Sequence, residues 1–184
     1  KQTVGTGAQA VAQVVATGSN LTAKLAASAD VYAQITGASF GLIADAGKTV
    51  FELKAGDEAS TNSVAGLTVQ VGPAVTVSAK KVLVRYATSG SGVAVAASQV
   101  LAVGGTDYRF DEAINYGTVA FGLRGMVLNV ADYVTLTGNV GFQKQTVGTG
   151  AQAVAQVVAT GSNLTAKLAA SADVYAQITG ASFG

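Results

Sequence analysis

The stretch DYVTLTGNVGFQ (Asp132–Gln143) decides the fold class. Its even positions carry Val134, Leu136, Gly138, Val140 and Phe142, and its odd positions Tyr133, Thr135, Thr137, Asn139 and Gln143. A period of two places apolar groups on one face and polar groups on the other, which is a half-buried β-strand and not a helix. Just upstream, Val119, Phe121, Leu123 and Val127 alternate with smaller or polar residues. NVAD (Asn129–Asp132) supplies turn residues between the two runs, so the pattern predicts a long hairpin.

The same logic extends outward. A second hairpin is expected from Val31 to Leu53, with Val31, Ala33 and Ile35 alternating on the way up. ADAGK (Ala44–Lys48) makes its turn around Gly47, and Val50, Glu52 and Lys54 share a face on the way down. A third long strand runs from Val75 to Tyr86. Its apolar parity switches between Ala79 and Val82, across Lys80 and Lys81, which calls for a β-bulge or a handover between sheets. Pro73 stands just before it, where no interior ladder bond is lost. Shorter strands are expected over Ala10–Ala16, Asn20–Ala26, Gly66–Val71, Gly92–Ala97 and Thr106–Phe110. AQAVAQVVA (Ala8–Ala16) also suits a short helix, but its valines and flanking glycines favour a strand. The expected class is all-β, an elongated tandem-repeat architecture of long antiparallel strands arranged as a sandwich or ribbon, with a β-solenoid as the alternative.

Repetition overrides length as a guide to domains. Residues Lys1–Gly41 recur letter for letter as Lys144–Gly184, an offset of 143. Residues 1–143 are therefore one unit, 144–184 open the next, and the natural object is expected to continue past both ends. A fainter similarity links FGLIADAGKTVFELKAG, from Phe40, to FGLRGMVLNVADYVTLTG, from Phe121. Nearly half the residues are hydrophobic, mostly Ala and Val, with 23 Gly and no Trp. Small side chains bury little area each, so such units gain stability by stacking on neighbours. A net charge of +1 lacks the basic stripe of a nucleic-acid binder. No run reads as a transmembrane helix, since Gln2–Ala23 and Tyr86–Thr106 are broken by Gly, Ser, Thr and Gln.

Without His or Cys the chain lacks the commonest catalytic base, thiol nucleophiles and the usual zinc ligands, and no enzyme is expected. The acidic cluster TDYRFDE holds Asp107, Asp111 and Glu112, candidate Ca²⁺ ligands, although a solvated loop offset by Arg109 explains it as well. Asp57 and Glu58 sit in an evident turn. GTGAQA (Gly5–Ala10, again from Gly148) matches a dinucleotide fingerprint, but no βαβ unit follows it. Thr135 and Thr137 project from one face as glycan- or ice-binding ladders require, though one pair makes no ladder. Asn20-Leu-Thr22 and Asn163-Leu-Thr165 are glycosylation sequons. Lys80, Lys81 and Arg85 read as a solvated basic face, and Tyr108 and Tyr116 as candidates for an exposed aromatic cluster.

TGASFGLI (Thr36–Ile43), GKTVFELKAG, VAGLTVQV (Val64–Val71) and FGLRGMVLNVADYVTLTGNVGFQK (Phe121–Lys144) resemble the repeats of giant bacterial exoproteins. The resemblance implies a secreted or cell-surface location and a structural or adhesive role, with no catalytic residues. The leading expectation is a structural repeat forming a stalk, filament or matrix fibre by end-to-end β-sheet assembly. Its partner would be itself, through the duplicated segments bounded by Lys1 and Gly41 and by Lys144 and Gly184. The alternative is an adhesin-type module binding a glycan or surface ligand, with Ca²⁺ as its one conceivable cofactor.

Overall fold

The computed structural model describes residues 2–4, 11–56, 66–147 and 154–184. These form fourteen strands and no helix. The strands are β1 (Gln2–Val4), β2 (Val11–Ala26), β3 (Val31–Ala44), β4 (Thr49–Gly56), β5 (Leu67–Val71), β6 (Val75–Ala87), β7 (Val93–Val95), β8 (Val100–Val103), β9 (Thr106–Arg109), β10 (Ile114–Asn115), β11 (Val119–Val130), β12 (Val134–Val147), β13 (Val154–Ala169) and β14 (Tyr175–Phe183). Ten of them make one antiparallel sheet in the order β1-β2-β3-β4-β6-β11-β12-β13-β14, with β5 pairing β3 and β6. Each long strand thus lies beside its neighbours in sequence. The remaining four pair as β7 with β10 and β8 with β9, within an insert between β6 and β11.

Both predicted hairpins form. In the first, the Asp45 carboxylate accepts the Gly47 N–H at 3.0 Å and the Asp45 N–H donates to the Lys48 carbonyl at 2.8 Å. In the second, Ala131 (φ 49°) and Asp132 (φ 60°) take the left-handed turn that matches the twist of the flanking strands. The Asn129 side chain braces that turn, its Oδ1 accepting the Asp132 N–H at 3.0 Å and its Nδ2 donating to the Asp132 carboxylate at 2.9 Å.

A row of bulges crosses the sheet at one height. Lys81 pairs with Gly56 and Arg124, and Ala79 with Leu67 and Met126, leaving Lys80 and Gly125 facing each other outside the ladder. This is the irregularity that the parity switch predicted. Positive φ angles continue the row at Asn20 (52°), Gly37 (65°), Gly125 (58°), Gly138 (140°), Asn163 (53°) and Gly180 (68°). On the same line the partner of β3 changes from β4 (Ala38 with Ala55) to β5 (Ile35 with Leu67), so those two strands share one position. Bulges bend strands, and a line of them creases a sheet. The hollow of the crease holds Ala38, Ala55, Ala79, Val82, Leu123 and Met126, all buried. Ile35, Leu67, Val77 and Leu136 pack in from one limb and Leu53, Val84 and Val140 from the other. Three alanines at the bend let the limbs approach, which is the structural use of a small-residue composition.

The crease revises some expectations. Ala10 lies outside the described residues; from Val11 on, the strands expected over Ala10–Ala16 and Asn20–Ala26 are one strand, β2, which the bulge at Asn20 carries through Gly-Ser-Asn. Val127 does not share the face of Phe121 and Leu123, because the extra residue at Gly125 rotates it into register with Ser78 and Thr137. The strand expected over Gly92–Ala97 shrinks to Val93–Val95.

Candidate assembly interface

The duplicated segments repeat their pairing as well as their letters. In the first copy Gln2, Thr3 and Val4 pair with Gln13, Ala12 and Val11. In the second, Gln145, Thr146 and Val147 pair with Gln156, Ala155 and Val154, the same residues displaced by the period. Likewise Gly18–Phe40, Leu21–Ala38, Ala23–Ile35 and Lys24–Gln34 recur as Gly161–Phe183, Leu164–Ala181, Ala166–Ile178 and Lys167–Gln177. The bulges recur too, Asn20 with Asn163 and Gly37 with Gly180, within 3° in φ. β1 therefore corresponds to the last residues of β12, β13 to β2, and β14 to β3.

The two copies differ in what flanks them. β3 has β4 and β5 on its far side, whereas β14 has no strand there among the described residues. Ile178 is 66% and Phe183 53% exposed, while their counterparts Ile35 and Phe40 are partly covered. β14 carries no charge and no proline, two devices that commonly protect an edge from pairing. On the other side, β13 pairs with β12 from Val157 to Leu168. The equivalent stretch of β2, Val14–Leu25, has only β3 beside it among the described residues. Each copy thus displays the edge that the other fills.

The insert between β6 and β11 lies over the first copy and is fixed by charge. Ile43, Val50 and Ala87 of the sheet bury against Val95, Leu101, Tyr108, Phe110 and Ile114 of the insert. Among them Glu52 is fully buried. Arg85 Nε donates to Glu52 Oε2 at 2.5 Å and Tyr108 Oη donates to Glu52 Oε1 at 2.8 Å. Arg85 Nη1 also donates to Glu112 at 2.6 Å. Lys54 Nζ reaches Asp111 at 2.9 Å and the Arg109 carbonyl at 2.8 Å. The tyrosine rises above its ordinary value, through burial first and then the Glu52 charge and hydrogen bond. The hydrogen bond and charge of Arg85 hold Glu112 below the usual glutamate value. Burial opposes the charge on Arg85, but Glu112 and Glu52 outweigh it and leave the guanidinium above its ordinary value. The Tyr108 ring rests on Gly41, where a Cβ would strike it. The Thr17 hydroxyl donates to the Thr106 carbonyl at 2.9 Å.

The predicted site residues fall as follows. Asp111 and Glu112 each take a cation across the insert junction, and Asp107 lies on β9 opposite Ala102. Among the described residues no three acidic groups gather in a way that could hold a metal ion. Tyr108 is buried and Tyr116 packs against the same core, so they form no exposed aromatic cluster. Arg85 is not a solvated strand residue, since two carboxylates hold it. Thr135 and Thr137 belong to wider polar rows, Gln70-Thr76-Asn129-Thr135-Lys167 and Gln34-Thr68-Ser78-Val127-Thr137-Thr165, the second interrupted by Val127. Both sequon asparagines occupy left-handed bulge positions, which Asn tolerates well. Asp57, Glu58 and both GTGAQA stretches lie outside the described residues. Beside the insert, a cleft of about 450 Å³ is lined by Lys81, Asp111, Arg124, Asn139, Thr160 and Ser162. Thr160 is the second copy of Thr17, so the place that β9 covers in the first copy stands open in the second. No known family model, curated protein or solved structure matches the chain.

Proposed function

We propose that the chain is a structural repeat that builds length through a continuing antiparallel sheet, each unit's β12 serving as the edge on which the next unit's β2 pairs. The observation carrying this reading is the coincidence of register between the two copies: the three pairs of Gln2–Val4 with Val11–Gln13 that begin the first unit recur at the foot of β12 and β13, and from there the ladder runs on between the end of one unit and the start of the next, from Lys144 with Val157 to Val134 with Leu168. Six strand positions (β2, β3, β4, β6, β11 and β12) separate a strand from its copy. At about 4.8 Å per strand, a unit would add about 29 Å. The absence of His and Cys, and acidic groups engaged in ion pairs, agree with a mechanical role. A stalk, filament or matrix fibre at the cell surface or outside the cell is the setting that the repetitive, exoprotein-like sequence favours.

The test is electron microscopy of purified chains carrying two, three and four periods, with and without Ca²⁺. Rods that lengthen by about 29 Å per period, independent of calcium, are expected. Separate globules on a string would refute the continuous sheet. Particles that change form only with calcium would favour a ligand-binding module centred on Asp107, Asp111 and Glu112.

A further inference from the structure

We propose that Lys54 and Asp111 condense to an amide inside the folded chain, with the buried Glu52 carrying the proton, so that the insert becomes covalently stapled to the sheet. All three residues lie within one unit, two on β4 and one on the loop that follows β9. The staple does not depend on units joining through a continuing sheet.

The Lys54 ammonium has three hydrogens, and three oxygens stand around it. Nζ lies 2.9 Å from Asp111 Oδ2, donates to the Arg109 carbonyl at 2.8 Å, and has Glu52 Oε1 3.9 Å away. Among the described residues no other lysine touches a carboxylate. The Tyr108 ring covers the amine, its centroid 4.8 Å from Nζ, and the fully buried Phe110 anchors the residue before Asp111. Lys54 is largely covered and Glu52 completely so. Held in contact this way, amine and carboxyl react as parts of one molecule, and well-oriented pairs of that kind reach effective concentrations of about 10⁵ M or more.

The step balances without a co-reactant. One ammonium proton passes to the Asp111 carboxylate across their 2.9 Å contact, leaving a neutral amine and a neutral carboxylic acid. The Lys54 nitrogen lone pair then attacks Asp111 Cγ and forms the N–C bond. Glu52 takes a second proton from that nitrogen and delivers it to the departing hydroxyl. The C–O bond breaks, and one water leaves on the open side of Asp111, whose side chain is 56% exposed. The third hydrogen remains as the amide N–H, already placed on the Arg109 carbonyl. Both Glu52 oxygens are held by donors, Arg85 and Tyr108, so Glu52 ends as it began and Asp111 is the carboxyl attacked. The charges of Lys54 and Asp111 vanish together, which leaves neither stranded at the junction. In a chain without cysteine, this amide supplies a crosslink that a disulfide cannot.

Intact mass decides the matter. The native chain, kept folded at neutral pH and then denatured, should be lighter than its sequence by one water. Trypsin does not cut after an acylated lysine, so the digest should hold peptide 49–80 joined to peptide 110–124. Lys54→Arg keeps a cation against Asp111 but offers no amine, and should retain its full mass. Glu52→Gln, with its fold checked by circular dichroism, should form the branched peptide at least about 100-fold more slowly. Should that variant not fold, Asp111→Asn keeps the reaction testable, because the chain should then lose one ammonia in place of one water. A native chain at full sequence mass would overturn the proposal. So would a water loss confined to peptide 110–124, as a succinimide at Asp111 would give. Equal rates in the native chain and a folded Glu52→Gln would overturn the part assigned to Glu52.

Discussion

Removing Arg85 strands a charge in the interior. In Arg85→Met the Glu52 carboxylate stays fully buried, keeping the Tyr108 hydroxyl and a Lys54 ammonium 3.9 Å away. Breaking a buried pair from one side costs about 3–5 kcal/mol, and the two remaining partners place this case near the lower end, at about 3 kcal/mol. With a urea dependence of about 2 kcal/mol per molar, the unfolding midpoint should fall by roughly 1.5 M. Since the chain has no Trp, far-UV circular dichroism is the suitable probe. The companion is the triple variant Glu52→Leu, Arg85→Met, Tyr108→Phe, which removes charge and partners together. It should recover most of the loss, because an apolar replacement of a whole buried network is often close to neutral. A midpoint shift below about 0.5 M for Arg85→Met, or a triple variant less stable than the single, would refute the view that Glu52 needs Arg85 as its counter-charge.

Three further outcomes follow from the same geometry. Stability should fall as the pH rises past 10.0, the ordinary tyrosine value, because Tyr108 ionises there only when unfolded; in urea titrations at high pH, Tyr108→Phe should lose less than the native chain. Glu112, held below 4.5 by Arg85, contributes stability that is present at neutral pH and lost as the pH drops below that value. It is largely exposed, so Glu112→Gln should change acid unfolding by less than about 1 kcal/mol. At the crease, Gly56 has φ +72° and a Cβ there would meet the Lys80 carbonyl and the Gly66 backbone. Gly56→Ala should cost roughly 1–3 kcal/mol in thermal or urea unfolding, whereas Gly47→Ala, with nothing in its way, should stay within about 0.5 kcal/mol.

The long hairpins were legible because their signals are local: alternation in Val134–Phe142, turn chemistry at Asp45–Lys48 and Asn129–Asp132, and a parity break at Lys80 that could only be a bulge or a handover. The single length of β2 was hidden because Gly18-Ser19-Asn20 spells a turn in isolation. Its continuation depends on Leu21 finding Ala38 across the ladder, a non-local fact. The face of Val127 was misjudged for the same reason, since nothing in FGLRGMVL marks Gly125 as the extra residue. At the candidate site, Glu52 was placed on the correct face with Val50 and Lys54, but its burial was not visible. That burial is set by Tyr108 and Arg85, 56 and 33 residues away. A glutamate between two apolar neighbours in a strand that alternates toward the core was the one available hint. The duplication was evident from the letters, while the identity of register needed the fold.

The number of strand positions in a unit, six, is even, and antiparallel neighbours alternate in direction. A strand and its copy therefore point the same way, so successive units of the proposed array would be related by translation without a flip. An odd count would turn every second insert around. With an even one, the inserts of the proposed array would all project from one face and point in one direction, leaving the creased face uncovered. The cross-strand row that leaves from Thr17 through Gly41, Glu52, Arg85, Ala120 and Gln143 arrives at Val158, the copy of Val15 and not of Thr17. That offset of two residues leans the strands by roughly 13° from perpendicular to the growth axis. An array built on this register would have two distinguishable ends and two distinguishable sides, its polarity set by strand parity before any cap, anchor or partner acted on it.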